Sequence, residues 1–441
     1  MSEHPLTLAT RLIDTGVVDT PPNRITQELS ELADDVAIVE SFSHVVAVDT
    51  GDGLVVFDTS SRQTGQQVIA ALRGWSEDPV HSIVYTHGHL DHVGGSRWIA
   101  EEATAAGRRI PRVIGHRAIE ARFDRYALTA GYNRVINMRQ FGGAATAAAT
   151  DDPDRPFVPS GTLHPDLTYE DQLTETIGAL TFEFNHCLGE TDDHTWTWIP
   201  ERNMICAGDQ FIWNFPNCGN PQKVQRYPLE WAAALRAMAA KPVELFVPAH
   251  GLPIAGNARI VGCLTTVAET LEKLVADVVA AMNTGATLDD IVTTVSVPAE
   301  ALELPYLRPL YDEPEFVVRN IWRLYGGWWD GNPARLKPPA DQAIGREVVT
   351  LAGGVQAVID RANELSAAGD HRLACQLIEY AAAAEPESHA VHEARSTIYG
   401  TRRAAESSLM AKGIYLSAKA DSDVVVSGDI EQPKMIFSIG D

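Results

Sequence analysis

The chain has 441 residues, 45% of them hydrophobic, and a formal net charge of -24 at pH 7. That length exceeds one ordinary core, so two domains are expected, and the charge argues against nucleic acid or an anionic membrane as partner. Five scattered cysteines, Cys187, Cys206, Cys218, Cys263 and Cys375, lack CxxC spacing; they argue against a disulfide framework or a cysteine-only zinc site.

Residues up to about 28 read as an irregular lead-in around Pro21-Pro22. The opening residues Met1 to Pro5 show no basic stretch followed by an apolar one, and no run is long enough to span a membrane. The expectation is a cytoplasmic enzyme without membrane insertion. Strand-like runs follow at 36–39, 44–48 and 54–59, the last two parted by a Gly51-Asp52-Gly53 turn. A helix is expected over 63–75, then a β-branched strand, Ser82 to Tyr85. A helix over 97–106, a strand over 111–115 and a helical run over 117–140 come next. Residues 142–161, rich in Ala, Thr, Gly, Asp and Pro, read as a loop or flap over a site. Strands are expected at 181–184, 195–199, 204–207 and 245–248. These two mostly β halves with intervening helices predict an α/β fold, an αββα sandwich with ligands gathered at strand ends. Beyond about 259 the chain is Ala- and Leu-rich with helical periodicity, including a helix pair over 369–384 and 388–406. The end, 421–441, reads as short strands or a tail.

The chemistry concentrates at Thr86-His87-Gly88-His89-Leu90-Asp91-His92-Val93-Gly94-Gly95. Two imidazoles at i and i+2 in a tight loop can grip one cation. An Asp and a His just beyond can reach a second. Imidazole with carboxylate is a borderline ligand set that suits zinc, with manganese or iron as competitors.

This His-x-His-x-Asp-His pattern resembles the signature of the metallo-β-lactamase-fold hydrolases. The resemblance implies further ligands at Gly189-Glu190-Thr191, Ala207-Gly208-Asp209 and Ala249-His250-Gly251. One ion would then be held by His87, His89 and Glu190, and the other by Asp91, His92 and His250, with Asp209 bridging. His194 is the rival to Glu190. Asp58 reads either as a partner that orients a ligating His or as a helix cap. Most relatives carry His where this chain has Glu190; a Glu there points to the alkylsulfatase branch. The stretch Tyr325-Gly326-Gly327-Trp328-Trp329-Asp330-Gly331-Asn332-Pro333-Ala334-Arg335-Leu336 resembles that branch's helical dimerisation domain.

The resemblance implies a catalytic domain over 1–262, a dimerisation domain over 263–416 that builds a homodimer, and a tail over 417–441. It implies a hydrolase that cleaves a small anionic sulfate ester. Its two metal ions would lower the pKa of a bridging water, and Asp91 or Asp209 would orient that water. The chain departs from the branch in three ways. Asp209 replaces a Glu. The chain ends too soon after Leu416 for the branch's sterol-carrier-like domain. The loop over 214–227 does not reproduce the branch's sulfate pocket. Arg139, Asn217, Lys223 and Arg226 are candidate anion binders, joined by Tyr311 from the helical domain. Two rival functions keep the same fold. One is a carboxylic ester, lactone or thioester hydrolase on the same metals. The other is a non-catalytic dimeric binding protein.

Overall fold

The computed structural model describes residues 3–145 and 156–428. They form two compact units, one over 3–128 and 158–328, the other over 129–145, 156–157 and 329–428.

The first unit holds two sheets. The larger runs in chain order: β1 (Leu29–Ala33), β2 (Val36–Val39), β3 (Val45–Asp49), β4 (Leu54–Phe57), β5 (Val80–Val84), β6 (Arg112–His116) and β7 (Leu167–Tyr169). Its first four strands are antiparallel neighbours, and β4 through β7 pair in parallel. The smaller sheet contains β8 (Gln172–Ile177), β9 (Leu180–Cys187), β10 (His194–Ile199), β11 (Met204–Gly208), β12 (Leu245–Pro248) and β13 (Ile254–Ala255), in the spatial order 13-12-11-10-9-8.

Burial explains the layering. Strands β2, β4 and β12 are buried at every position, as strands covered on both faces should be. Val36, Ile38, Val46, Val48, Val55 and Phe57 of one sheet meet Phe182, Phe184, Met204, Cys206 and Val247 of the other in a shared core. The outer face of the smaller sheet presents Trp196, Trp198, Ile205 and Phe246 to helices Pro228–Ala239 and Asn257–Asn283, giving an outer helical layer. The αββα expectation therefore holds for this unit.

Three elements differ from the sequence reading. The lead-in contains a helix, Pro5–Thr15, whose Leu8, Ala9 and Leu12 are fully buried at helical spacing. Pro5 stands in its first turn, where a missing amide costs nothing. The run over 117–140 is two helices, Ala118–Leu128 and Ala130–Gln140, parted at Thr129 where the two units also divide. Asp423-Val424-Val425-Val426 lies within helix Leu409–Ser427 rather than in a strand. Residues 146–155, half of the expected flap, and Met435-Ile436-Phe437 lie outside the described residues.

In the second unit, helices Val355–Ala367, His371–Ala384 and His389–Ala404 share a core of Val358, Ile359, Ala362, Ile378, Ala381, Val391 and Ile398. The expected helix pair is the latter two. All five cysteines are free thiols.

Candidate metal centre

The six-residue motif begins just after β5 and ends in a single helical turn, Leu90–Val93. Loops after β9, β11 and β12 bring the remaining acids and the last histidine to it. Backbone bonds stitch these strand ends together: Thr195 N donates to Thr86 O at 2.7 Å and Ala249 N to Gly208 O at 2.9 Å.

Two groups of potential ligand atoms result, each set lying within 4.8 Å of one another. One is His87, His89, Glu190 and Asp209; the other is Asp91, His92 and His250. In the first, His87 Nε2 lies 2.8 Å from His89 Nδ1 and 3.6 Å from Glu190 Oε2. In the second, Asp91 Oδ2 lies 3.6 Å from His92 Nε2 and 3.5 Å from His250 Nε2. Asp209 faces both groups. Its Oδ1 is 3.5 Å from both His92 Nε2 and His250 Nε2, and its Oδ2 is 3.9 Å from His87 Nε2.

The donor set fits divalent metal. His92 Nε2, Glu190 Oε2 and Asp209 Oδ1 are buried, turned toward the groups above and without a hydrogen-bond partner. Such orphaned atoms are costly unless a ligand satisfies them. The electrostatics agree. Burial, then the neighbouring His92 and His89, holds His87 well below its ordinary pKa, so it is neutral and can ligate. Burial opposes charge on His92 too, yet Asp209, Asp91 and Asp58 outweigh it and lift His92 well above its usual value. A proton there supplies positive charge that a cation would otherwise bring. Burial pushes Glu190 up, with Arg226 opposing and Asp209 adding to the rise. Glu190 and Asp209 repel one another, and a bound cation would relieve that repulsion.

The surroundings orient these side chains. Asp58 Oδ2 sits 2.7 Å from His92 Nδ1, and both Asp58 oxygens accept from Thr86, through its amide and its hydroxyl, each at 2.8 Å. Of the two readings of Asp58, the geometry realises the His partner. His194 Nε2 accepts from Asp209 N at 3.0 Å, so that nitrogen is spent on holding Asp209. Gly208 permits this: its φ is +55°, and a Cβ would come 2.7 Å from the His194 ring.

Arg122 and Asp193 form a buried brace that sequence reasoning missed. Arg122 Nε donates to Asp193 Oδ2 at 2.7 Å, and Gly88 N donates to the same oxygen at 3.0 Å. The pair thus holds the turn between His87 and His89. Asp193 lies three residues after Glu190, but Arg122 comes from helix Ala118–Leu128 with no local signal.

The anion candidates divide. Arg226 Nη1 donates to Glu190 Oε1 at 2.7 Å and also to the Asn217 carbonyl, so it is engaged with the Glu190 loop. Asn217 Nδ2 donates to the same Glu190 oxygen at 2.5 Å. Half-buried Lys223 is pushed down to about 8 by burial and by Arg226, against the pull of Asp91 and Glu190. Burial raises the Tyr311 phenol, helped by Glu190 and opposed by Arg226, with Asp91 adding to the rise. Lys223 and Tyr311 therefore lie within electrostatic reach of the acids. Arg139 belongs to the second unit, in the last turn of Ala130–Gln140.

Fold and site together are those of a metal-dependent hydrolase: residues 38–250 match the metallo-beta-lactamase superfamily model, and residues 287–423 match the alkyl sulfatase dimerisation model. The two matches follow one another along the chain. It is 26% identical over 405 residues to the linear primary-alkylsulfatase of a Pseudomonas species, covering 87% of this chain and 74% of the relative. It is 23% identical to the alkyl/aryl-sulfatase BDS1 of Saccharomyces cerevisiae, covering 83% of this chain and 59% of that one. The solved stereoselective inverting sec-alkylsulfatase Pisa1 from a Pseudomonas species has the same fold, with a TM-score of 0.79 at 21% identity. That match covers 91% of this chain and 66% of Pisa1.

Proposed function

We propose that the chain is a binuclear zinc hydrolase that cleaves alkyl sulfate esters to alcohol and sulfate. The observation that carries the two-metal reading is Asp209, whose two oxygens face the two separate histidine groups. His87, His89 and Glu190 would hold one ion, and Asp91, His92 and His250 the other, with Asp209 shared. Manganese or iron are the competing metals. Bound divalent ions supply Lewis acidity and a water acidified toward neutral pH.

The remaining work falls to side chains. Asp91 and Asp209 would orient the attacking water by accepting its hydrogens. Lys223, Asn217 and Tyr311 would bind sulfate oxygens and balance charge on the leaving group. Arg226 and Asn217 hold one Glu190 oxygen, which leaves Oε2 to face the metal position. The names of the relatives support a sulfate ester as substrate, and so does the cationic Lys223 beside the acids.

A carboxylic ester, lactone or thioester is the second reading. It is favoured by the pairing of Arg226 with Glu190, which takes one cation away from a substrate anion. A homodimer is part of the first reading. Tyr325, Trp328, Trp329 and Leu336 are 48%, 72%, 36% and 47% exposed, where the match to a dimerisation family would have them covered by a second copy. Metal analysis with turnover on a panel of alkyl sulfates, esters, lactones and thioesters tests the function. Two metals per chain and release of inorganic sulfate are expected. Efficient hydrolysis of another class with no sulfate release would overturn the substrate.

A further inference from the structure

Residues 214–220 and 308–313 are distant in sequence and stitched together in the first unit. Phe215 N donates to Arg308 O at 2.9 Å. Gly219 N donates to Asp312 Oδ2 at 2.6 Å, and Asp312 Oδ1 accepts from Glu313 N at 2.7 Å. Asp312 is fully buried. A carboxyl buried this deeply is rare without a defined job, since it must replace water with fixed donors.

Close backbone approach reinforces the stitch. A Cβ on Gly219 would stand 2.3 Å from the carbonyl carbon of Phe316 and the nitrogen of Val317. The loop therefore lies directly on the first turn of helix Pro314–Gly326. Further along the same helix, Asn320 Nδ2 donates to Arg226 O at 2.9 Å and Asn320 Oδ1 accepts from Gln225 Nε2 at 2.9 Å.

Asp312 thus touches both sides of one wall. Its side chain holds Gly219, two residues after Asn217, and its backbone continues directly from Tyr311. We propose that Asp312 is a positioning residue that sets Asn217 and Tyr311 to receive the sulfate group, and so governs affinity for the anion. The inference rests on the sulfate-ester reading above. It separates two tasks: the metal groups draw on 87–92, 190, 209 and 250, whereas the anion wall depends on a segment beyond 250. Misplacing a binding group by about 1 Å can cost up to about 100-fold, so a loosened wall has a measurable effect.

The test uses the full chain loaded with zinc. Asp312→Asn keeps one acceptor oxygen and turns an amide donor toward a backbone donor. The expected result has four parts. Metal stoichiometry is unchanged, and kcat stays within about twofold. KM for an alkyl sulfate and the inhibition constant of inorganic sulfate both rise roughly tenfold. Hydrogen exchange over 214–220 accelerates. Gly219→Ala should give the same pattern by forcing the loop off the helix without altering any acid, and it stands in if Asp312→Asn fails to fold. Loss of metal, a fall in kcat alone, or unchanged KM overturns the proposal. If the wild type releases no sulfate but hydrolyses another ester, the substrate reading fails. The positioning role is then judged separately by exchange over 214–220 and KM for that ester, and unchanged values in both overturn it.

Discussion

The metal-ligand groups and the proposed anion wall of the first unit are built in opposite ways. Four of the seven proposed ligands fall within six positions, in a loop whose spacing alone brings them near each other. The wall draws on Asn217, Lys223 and Arg226 from one segment and Tyr311, Asp312 and Asn320 from another about a hundred residues away. The first depends on local geometry braced by buried partners, and the second on long-range docking. The comparison teaches that the two are built separately and meet at Glu190, whose Oε1 accepts from Asn217 and Arg226 of the wall.

The sharpest way to break the comparison is to remove a proposed ligand. His87→Ala and Asp91→Ala should each abolish turnover and lower metal content while circular dichroism shows a folded chain. Normal metal content in both variants would defeat the ligand assignment.

A second variant, Glu190→His, keeps a metal-ligating side chain at this place. Here it would strand Arg226, which is buried and paired with Glu190 at 2.7 Å. Breaking one partner of a buried pair costs about 3–5 kcal/mol, so denaturant unfolding should show a loss of that order. A loss under about 1 kcal/mol would mean that Arg226 finds water or another partner, as exposed pairs do.

Next in size is Asp58→Asn. Replacing a carboxylate that orients a ligating His should weaken metal affinity by about 10–100-fold, read by competition with a chelator. Affinity equal to wild type would reduce Asp58 to a strut for Thr86. On the wall, Lys223→Met should raise KM for an alkyl sulfate roughly tenfold with metal content intact, the size expected for one charge-assisted hydrogen bond. An unchanged KM would favour the ester, lactone or thioester reading.

The smallest effect is a pH dependence. Burial pushes the Asp312 carboxyl up to about 7, although two amides donate to it and Arg226 opposes the rise. The folded chain therefore binds this proton more tightly than the unfolded chain does. That contribution is complete below the ordinary carboxylate range and is lost as pH rises through about 7. Asp312→Asn cannot titrate, so its Tm relative to wild type should rise between about pH 5 and about pH 8. A constant difference across that range would show that Asp312 titrates alike in both states.

The amino-acid order by itself determined the metal motif and most of the strands. His87 to His92 needs only a tight loop, and β2, β4 and β12 announce themselves as continuous apolar runs bounded by turns. The helical periodicity after 259 was equally plain. Helix Pro5–Thr15 escaped notice because its short apolar stripe acquires meaning only against the core that buries it. The short strands β1, β7, β8 and β13 escaped too, since three of them are only partly buried at most positions and β13 has two residues. Only the tertiary structure decided the roles of individual polar side chains. Arg226 is a candidate anion binder by residue type but pairs with Glu190, and His194, the rival to Glu190, instead accepts from Asp209 N. Arg122 with Asp193, and Asp312 with Gly219, carry no local spacing signal at all. Their partners lie 71 and 93 residues away, and a buried charge takes its meaning from whatever the fold sets beside it.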